Sequence, residues 1–314
     1  MKNLMLFLSL AGLVAGCASL ERKVVRGKVR DAFESTMQSG SEVEDLGDGL
    51  FSYRWLSYRT LFWIGVDSAV VFDPLNRDAA AELRDEIARR APRAAIRTVI
   101  YSHGHRDHAS GASVFGPSPT ILAHTVADQE LRARSFDDVL LPTEVFEEDD
   151  HVILLGDEPV HLIRIDGAHT DGLVVSYFPR RRLLYAVDLV WPNQLPPPAA
   201  PLSYSGVERA LDRLMRIDFD TFVPGHGAIA TRQEVGRYQT FLGELRQEFR
   251  SALVRHELSD FHARDTYVRA PEDLGAIFFE VEDALRPGYG DWDNFDEAIL
   301  ATVQWGFWSV LTGD

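Results

Sequence analysis

The sequence predicts an α/β protein in which two β-sheets pack face to face between outer helices, an αββα sandwich. Strand-like segments followed by helix-like segments occur twice along the chain, which divides it into two similar halves. The 314 residues are 46% hydrophobic, enough apolar material to bury one large core. The remaining C-terminal part has a helical pattern and is expected to extend the sandwich.

The first half is rich in strand segments made of aromatic and β-branched residues. Its first helix is indicated by apolar residues near helical spacing, among them Leu83 and Ile87. The third strand ends at Asp73, directly before a proline. In chain order, strands are predicted at 50–56, 60–66, 69–72, 98–101 and 121–124, and helices at 78–90 and 126–134.

The second half repeats this alternation and then becomes helical. Two helix starts have the form of a capping box, Ser205 with Glu208 and Thr231 with Glu234. The sandwich is therefore assigned to residues 49–230, and a helical region packed on it to 231–314. Strands are predicted at 152–155, 160–165, 173–178, 183–190 and 221–223, and helices at 205–215, 231–256 and 294–311.

The N-terminus differs in composition from the rest of the chain. Lys2 precedes an apolar run from Leu4 to Val14, which is too short to span a bilayer but fits the hydrophobic region of a secretory signal. The sequence that ends this run, Val-Ala-Gly-Cys17, resembles a bacterial lipobox. An ordinary signal peptide or a short anchor with an incidental cysteine is the alternative.

The lipobox resemblance implies that residues 1–17 are a signal peptide and that Cys17 is lipidated. Residues 18–48 would then form a polar tether, with a short helix, that holds an exported domain on the periplasmic side of a membrane. Ala18 stands where aspartate would retain such a lipoprotein at the inner membrane, so the outer membrane is expected. Cys17 is the only cysteine, so the chain cannot form an internal disulfide.

Charge composition makes nucleic acid an unfavourable partner. The chain has 48 acidic residues against 32 lysines and arginines, a net charge of −16. Binding to phosphates needs a basic face from which counterions are released. The excess of acidic residues is typical of a solvated surface, and the expected partner is a small-molecule substrate.

The densest group of chemically active residues follows the strand predicted at 98–101. Within six residues the chain places His103, His105, Asp107 and His108. Imidazole nitrogens and carboxylate oxygens both suit Zn²⁺. Because a loop can direct alternate side chains towards different centres, this spacing predicts ligands for more than one metal ion.

Three further candidate ligands occur singly, each near the end of a predicted strand. His169 lies in a turn between two strands, Asp188 ends an apolar strand, and His226 stands in a Pro-Gly-His-Gly turn. Open sites are commonly assembled from such loops. Each residue alone would be weak evidence, but their order after the first cluster favours one shared metal site.

This set resembles the metallo-β-lactamase superfamily, whose HxHxDH signature is followed by single His, Asp and His ligands. The resemblance covers about residues 50–230 and implies that superfamily's fold and two Zn²⁺ ions, with iron or manganese as alternatives. Asp73 matches a further family aspartate and is expected to orient a ligand without touching the metal. The implied ligands are His103, His105 and His169 for the first metal, Asp107, His108 and His226 for the second, and Asp188 as the bridge.

The resemblance also implies the chemistry. Two zinc ions would lower the pKa of a shared water so that hydroxide, formed near neutral pH, attacks a carbonyl or phosphoryl centre. Asp107 is expected to act catalytically by accepting a hydrogen bond from this nucleophile. A bridging aspartate is typical of the lactonase and phosphodiesterase branches, so esters, lactones and phosphodiesters are the favoured substrates.

Two other functions remain open. The protein could be a β-lactam hydrolase, or a non-catalytic periplasmic lipoprotein that binds zinc for structure. The bridging carboxylate favours an enzyme, because structural zinc sites are usually closed four-ligand sites. Candidates to line an apolar mouth near the metals are Trp55, Tyr58, Trp63, Trp191 and the prolines at 196–198, of which Trp191 and the prolines are the better ones because they follow Asp188 closely. Ordinary core and rigid-loop roles are the alternative.

Overall fold

A computed structural model describes residues 40–116, 119–196, 202–258 and 264–312. The predicted signal peptide, Cys17 and most of the predicted tether lie outside these residues. Within the described ranges, no helix has the length and apolarity needed to cross a membrane.

The first sheet is mixed and has its strands in chain order. Antiparallel pairing joins its first four strands, and parallel pairing joins the fourth to the seventh through helical crossovers. Its strands are β1 (Ser41–Asp45), β2 (Leu50–Trp55), β3 (Tyr58–Ile64), β4 (Ser68–Phe72), β5 (Ala95–Ile100), β6 (Thr120–His124) and β7 (Glu144–Phe146).

The second sheet has six strands in the order β13-β12-β11-β10-β9-β8. Only β11 and β12 are parallel, so most of this sheet is an antiparallel meander. Its strands are β8 (Asp150–Leu155), β9 (Glu158–Arg164), β10 (Val174–Phe178), β11 (Leu183–Ala186), β12 (Thr221–Pro224) and β13 (Ala230–Thr231).

Helices cover the outer faces of both sheets. Of the described helices, α1 and α3 lie on the first sheet, and α4 to α7 share one apolar cluster with the second. The helices are α1 (Arg77–Arg90), α2 (Arg106–Ala109), α3 (Thr125–Arg134), α4 (Tyr204–Leu214), α5 (Arg232–Arg255), α6 (Arg264–Tyr289) and α7 (Phe295–Thr312).

Three apolar layers hold these four layers of secondary structure together. Leu83 and Ile87 of α1 pack in the layer under the first sheet. Phe72 and Phe178 meet between the sheets, with ring centroids 5.8 Å apart. Phe241 and Trp292 belong to the layer that joins the second sheet to the C-terminal helices. The predicted αββα sandwich with a C-terminal helical extension is confirmed.

The tether prediction is wrong for its last residues, because Ser41–Asp45 forms the edge strand β1. This segment has a single apolar residue, Val43, and therefore lacks the alternation by which strands are recognised. Pairing with β2 fixes it instead. Glu42 forms an ion pair with Arg54 and Glu44 forms one with Arg59, so charge takes the place of apolar burial.

Two other local predictions need correction, and one is confirmed. Helix α4 begins at Tyr204, because Ser203 rather than Ser205 caps it by accepting a hydrogen bond from the Gly206 amide. The strand predicted at 183–190 ends at Ala186, since Asp188 has a positive φ of 57° that a strand does not accommodate. The capping box of Thr231 and Glu234 is present as predicted.

Candidate metal centre

The predicted ligands come together at one edge of the sandwich, on loops and one short helix that follow strands. After β5, His103 and His105 lie in a loop, and Asp107 and His108 lie in the short helix α2 that follows it. His169 lies between β9 and β10, Asp188 follows β11, and His226 follows β12. Loops on a rigid scaffold place such side chains well, because the strands fix where each loop begins.

The first group of ligand atoms comes from His103, His105, His169 and Asp188. Nε2 of His169 lies 2.8 Å from Nδ1 of His105. Oδ2 of Asp188 lies 3.2 Å from Nε2 of His169 and 3.5 Å from Nε2 of His103. Three imidazoles and one carboxylate therefore point at a common centre.

The second group consists of His108, His226 and the same Asp188. Asp188 places Oδ2 3.4 Å from Nε2 of His108 and Oδ1 2.9 Å from Nε2 of His226. Asp107 lies beside this group, with Oδ2 3.7 Å from Nε2 of His108 and a side chain that is 51% exposed. Asp188 is thus common to both groups, and Asp107 is the most open of the predicted ligands.

The buried nitrogens of these groups fit a metal ion. Nε2 of His103 and both ring nitrogens of His108 are buried without a hydrogen-bond partner among the described residues. A buried polar atom left without a partner is costly, and coordination to a metal removes that cost. Nitrogen and carboxylate oxygen donors suit a divalent cation such as Zn²⁺, and also Fe or Mn.

Burial and charge set the protonation of the histidines differently in the two groups. Burial, with His169 nearby, lowers the pKa of His105 to about 4, and burial lowers that of His103 well below its usual value. Burial also acts on His108, but the carboxylates of Asp188, Asp107 and Asp73 together outweigh it and raise the pKa of His108 to about 9. A metal bound at His108 therefore has to displace a proton, since only neutral imidazole is a ligand.

Asp73 supports the first group through its neighbour Ser102. The Asp73 side chain is fully buried and its Oδ1 accepts a hydrogen bond from the Ser102 amide at 2.7 Å. Its Oδ2 accepts one from the Tyr185 hydroxyl at 3.1 Å. Ser102 Oγ in turn lies 2.8 Å from Nδ1 of His103, which leaves Nε2 of that ring free to face Asp188.

Helix α3 packs against two of the loops that carry predicted ligands. A Cβ on Gly104 would lie 2.8 Å from Oε2 of Glu130, and one on Gly172 would lie 2.5 Å from the Ala127 amide. Arg134 also donates a hydrogen bond to the Gly104 carbonyl at 3.2 Å. Glycine is required at 172, where the contact is with backbone, whereas a side chain at 104 would have to displace the Glu130 carboxylate. Sequence reasoning missed Glu130 and Arg134, because an i,i+4 pair on a helix is typical of an exposed ion pair.

Tyr58, the first residue of β3, lies beside the second group. Its hydroxyl donates a hydrogen bond to Oδ2 of Asp107 at 3.2 Å. Its ring lies 4.7 Å from that of His226 and 5.5 Å from that of His108. Tyr58 is half-buried and touches the ligands themselves, which is closer than the predicted place at an apolar mouth.

Trp191 is not part of an open mouth. It is 4% exposed, and its ring stacks on His226 with centroids 6.2 Å apart and an interplanar angle of 16°. Trp191 therefore packs behind a predicted ligand. Of the prolines predicted with it, 197 and 198 lie outside the described residues.

One curated relative is similar to this chain in sequence. It is the 2,4-dinitroanisole O-demethylase subunit alpha of Nocardioides sp. (strain JS1661), 27% identical over 179 residues. The match covers 56% of this chain and 55% of the relative, so the chain spans about half the length of that protein.

Solved structures share the fold at low sequence identity. A metallo-beta-lactamase from Pontibacter korlensis aligns with a TM-score of 0.57 and 18% identity, over 65% of this chain and 99% of its own. A metallo-beta-lactamase from Hirschia baltica aligns with a TM-score of 0.56 and 16% identity, over 65% of this chain and 98% of its own. These likenesses concern the fold alone.

The family comparison covers the ligand loops. Residues 55–226, more than half of the chain, match a family model described as the metallo-beta-lactamase superfamily. This range includes every predicted metal ligand and ends on His226. The chain belongs to the metallo-β-lactamase superfamily, and its His/Asp cluster brings together side chains that could hold a metal ion.

Proposed function

We propose that the protein is a binuclear zinc hydrolase that acts on uncharged esters or lactones. The observation that supports two metals is the position of Asp188, whose two carboxylate oxygens contact both histidine groups. A carboxylate shared in this way is suited to bridging two cations. A single structural zinc would not need a second group of histidines around the same carboxylate.

The residues divide the work between binding and proton transfer. Bound zinc supplies a water of lowered pKa and a positive centre for the substrate oxygen. Asp107 has an exposed carboxylate beside the second group, where it accepts the proton of the attacking water. Tyr58 fixes Asp107 by donating to Oδ2, so that the other oxygen, Oδ1, is available for this transfer.

Charge near the site favours a neutral substrate over a phosphodiester. Arg106, the first residue of α2, is engaged by Asp138 through both Nε and a terminal nitrogen. Arg134 donates to the Gly104 carbonyl. Because Arg106 is paired with a carboxylate and the net charge is −16, a neutral substrate is favoured over an anionic one.

Metal content and a substrate panel test this function together. The purified protein is analysed for bound metals and assayed with an ester, a lactone, a phosphodiester, a β-lactam and a nitroaryl methyl ether. The ether is included because the Nocardioides relative is a 2,4-dinitroanisole O-demethylase subunit. We expect two metals per chain and chelator-sensitive turnover of the ester or lactone. If the protein holds two metals but turns over another class of compound in the panel, the proposed substrate class is wrong. If it holds one metal or none, the proposed binuclear site is wrong.

Asp188→Asn is the variant that tests the bridge. An amide keeps the shape of the side chain but removes the negative charge, so we expect loss of at least one metal and of most activity. Asp157→Asn is the matched control, because Asp157 is an exposed aspartate paired only with Arg180. Equal metal content and turnover in Asp188→Asn and the control would refute a bridging role.

We also propose export and lipid anchoring through Cys17. The support is the apolar run and the small residues that precede this cysteine. Expression in a bacterium with labelled palmitate should label the protein in the outer-membrane fraction, and Cys17→Ser should abolish the label. A labelled Cys17→Ser protein, or unlabelled wild type, would contradict lipidation.

A further inference from the structure

The loop that follows Asp188 is irregular yet buried. Asp188 and Asn193 both have positive φ, 57° and 54°, and the chain between them forms no regular structure apart from turns. Leu189, Val190 and Leu195 are each 0 or 1% exposed. A buried loop needs partners for its backbone polar groups, because water cannot supply them.

Those partners come from the C-terminal extension, outside the range of the family match. The Asn294 side chain accepts a hydrogen bond from the Leu195 amide at 2.7 Å and donates one to the Leu195 carbonyl at 2.9 Å. The Asp293 amide donates to the Asn193 carbonyl at 3.1 Å. Asp293 Oδ2 also accepts from the Gln194 side chain at 3.3 Å.

The segment that makes these bonds is itself held firmly. Asn294 is 1% exposed, and its carbonyl accepts from the Ala298 amide at the start of α7. The preceding Trp292 stacks on Tyr238 and packs against Phe241, both in α5. The segment around Asn294 therefore cannot move relative to α5 without breaking apolar packing.

The same loop contacts the metal centre directly. It begins at the shared Asp188 and carries Trp191, whose ring stacks on His226. Further along, Gln194 lies against Gly227, directly after His226, since a Cβ there would be 3.7 Å from its Oε1. A displacement of Leu195 would therefore disturb the second histidine group at two contacts, Trp191 on His226 and Gln194 against Gly227.

We propose that Asn294 is a positioning residue for the second metal position, acting through the Leu195 backbone on Trp191 and His226. The C-terminal extension is then a structural part of the metal centre. This inference rests on the proposed binuclear site. Hydrogen-bonded supports behind metal ligands typically change metal affinity by about 10- to 100-fold when removed.

The test uses Co²⁺ as the probe, added to the metal-free full chain and followed by its visible absorption. Asn294→Leu keeps the size of the side chain but removes both bonds to Leu195. We expect the second equivalent of Co²⁺ to bind about 10- to 100-fold more weakly, with an altered spectrum, while the first binds as in the wild type. Asn294→Asp can still accept from the Leu195 amide, so an intermediate effect is expected and this variant serves if Asn294→Leu does not fold.

Tyr289→Phe is the matched control for general damage to the extension. It removes the hydrogen bond from the Tyr289 hydroxyl to Glu244, 2.7 Å long, which joins α6 to α5 without touching the loop. Its Co²⁺ affinity and spectrum should equal those of the wild type. The proposal is overturned if the Asn294 variants bind both Co²⁺ ions like the wild type, or if Tyr289→Phe weakens the second ion as much. A wild type that binds fewer than two Co²⁺ ions would instead overturn the binuclear site.

Discussion

The two histidine groups of the metal centre share Asp188 but differ in how the protein supports them. Each group combines a fully buried imidazole, His103 in the first and His108 in the second, with partly buried histidines. The side chain of His169 is 3% exposed and that of His226 is 19% exposed. The most exposed side chain at the centre is that of Asp107, 51% exposed, on the side of the second group.

The residues that hold the ligands in place also differ between the two groups in where they lie along the chain. Ser102, next to His103, and Asp73 at the end of β4 orient the first group from within the first sheet. The second group depends on Tyr58 in a hairpin and on Trp191 in a loop that Asn294 holds. We infer that the first position is the tight metal site and the second the weaker and more adjustable one.

Removing one ligand from each group should give the largest effects. His169→Ala should lose the first metal and His226→Ala the second, each with a fall in affinity of more than about 100-fold at its own position. Elemental analysis after dialysis would show one metal in each variant, and activity should be lost in both. Loss of both metals from His226→Ala would refute the independence of the two groups.

Removing a hydroxyl group that hydrogen-bonds to a predicted ligand should lower metal affinity by a smaller factor, and at one of the two positions only. Tyr58→Phe removes the bond to Asp107 and should weaken the second metal by about 10- to 100-fold, whereas Ser102→Ala should weaken the first by a similar factor. Tyr101→Phe is the control, because its hydroxyl donates to the Leu140 carbonyl away from the ligands. Competition with a coloured chelator measures both affinities. If Tyr58→Phe and Ser102→Ala weaken binding of the same metal ion, the two groups are not held by separate residues.

The two positions should also respond differently to pH. Since the pKa of His108 is raised to about 9, binding at the second position releases its proton and affinity should rise about tenfold per unit as pH increases towards that value. The pKa of His105 is lowered to about 4, so this histidine adds no such dependence above about pH 5. His169→Ala isolates the second position and His226→Ala the first. Equal slopes of affinity against pH in these variants would contradict the assignment.

The fold and the ligand set could be predicted because both depend on local patterns. Runs of aromatic, β-branched and other apolar residues indicated most strands, and the density of histidines between 103 and 108 indicated the centre without any knowledge of pairing. The roles of these residues as metal ligands stay a prediction until metals are measured. Strand β1 was missed because Ser41–Asp45 is stabilised by charges on other strands.

The supports of the second group could not be predicted for a related reason. Asn294 lies 99 residues from Leu195, and an asparagine between two helices is typical of a simple cap. Tyr58 and Trp191 were noticed as aromatic residues near the site, but sequence does not show which one contacts a ligand and which one packs behind it. Long-range contacts between side chain and backbone leave no periodic signal.

The smallest effect expected at the second position comes from β1. Arg59 donates through Nε to the Gly227 carbonyl at 2.9 Å, next to His226, and its guanidinium is paired with Glu44 of the edge strand. Because Glu44 is partly exposed, Glu44→Gln should weaken the second metal by only about 0.2–1 kcal/mol, less than about fivefold. Glu42→Gln, which affects only the pair with Arg54, should leave metal affinity unchanged. Equal effects of the two variants would mean that β1 stabilises the sheet as a whole, with no particular link to His226.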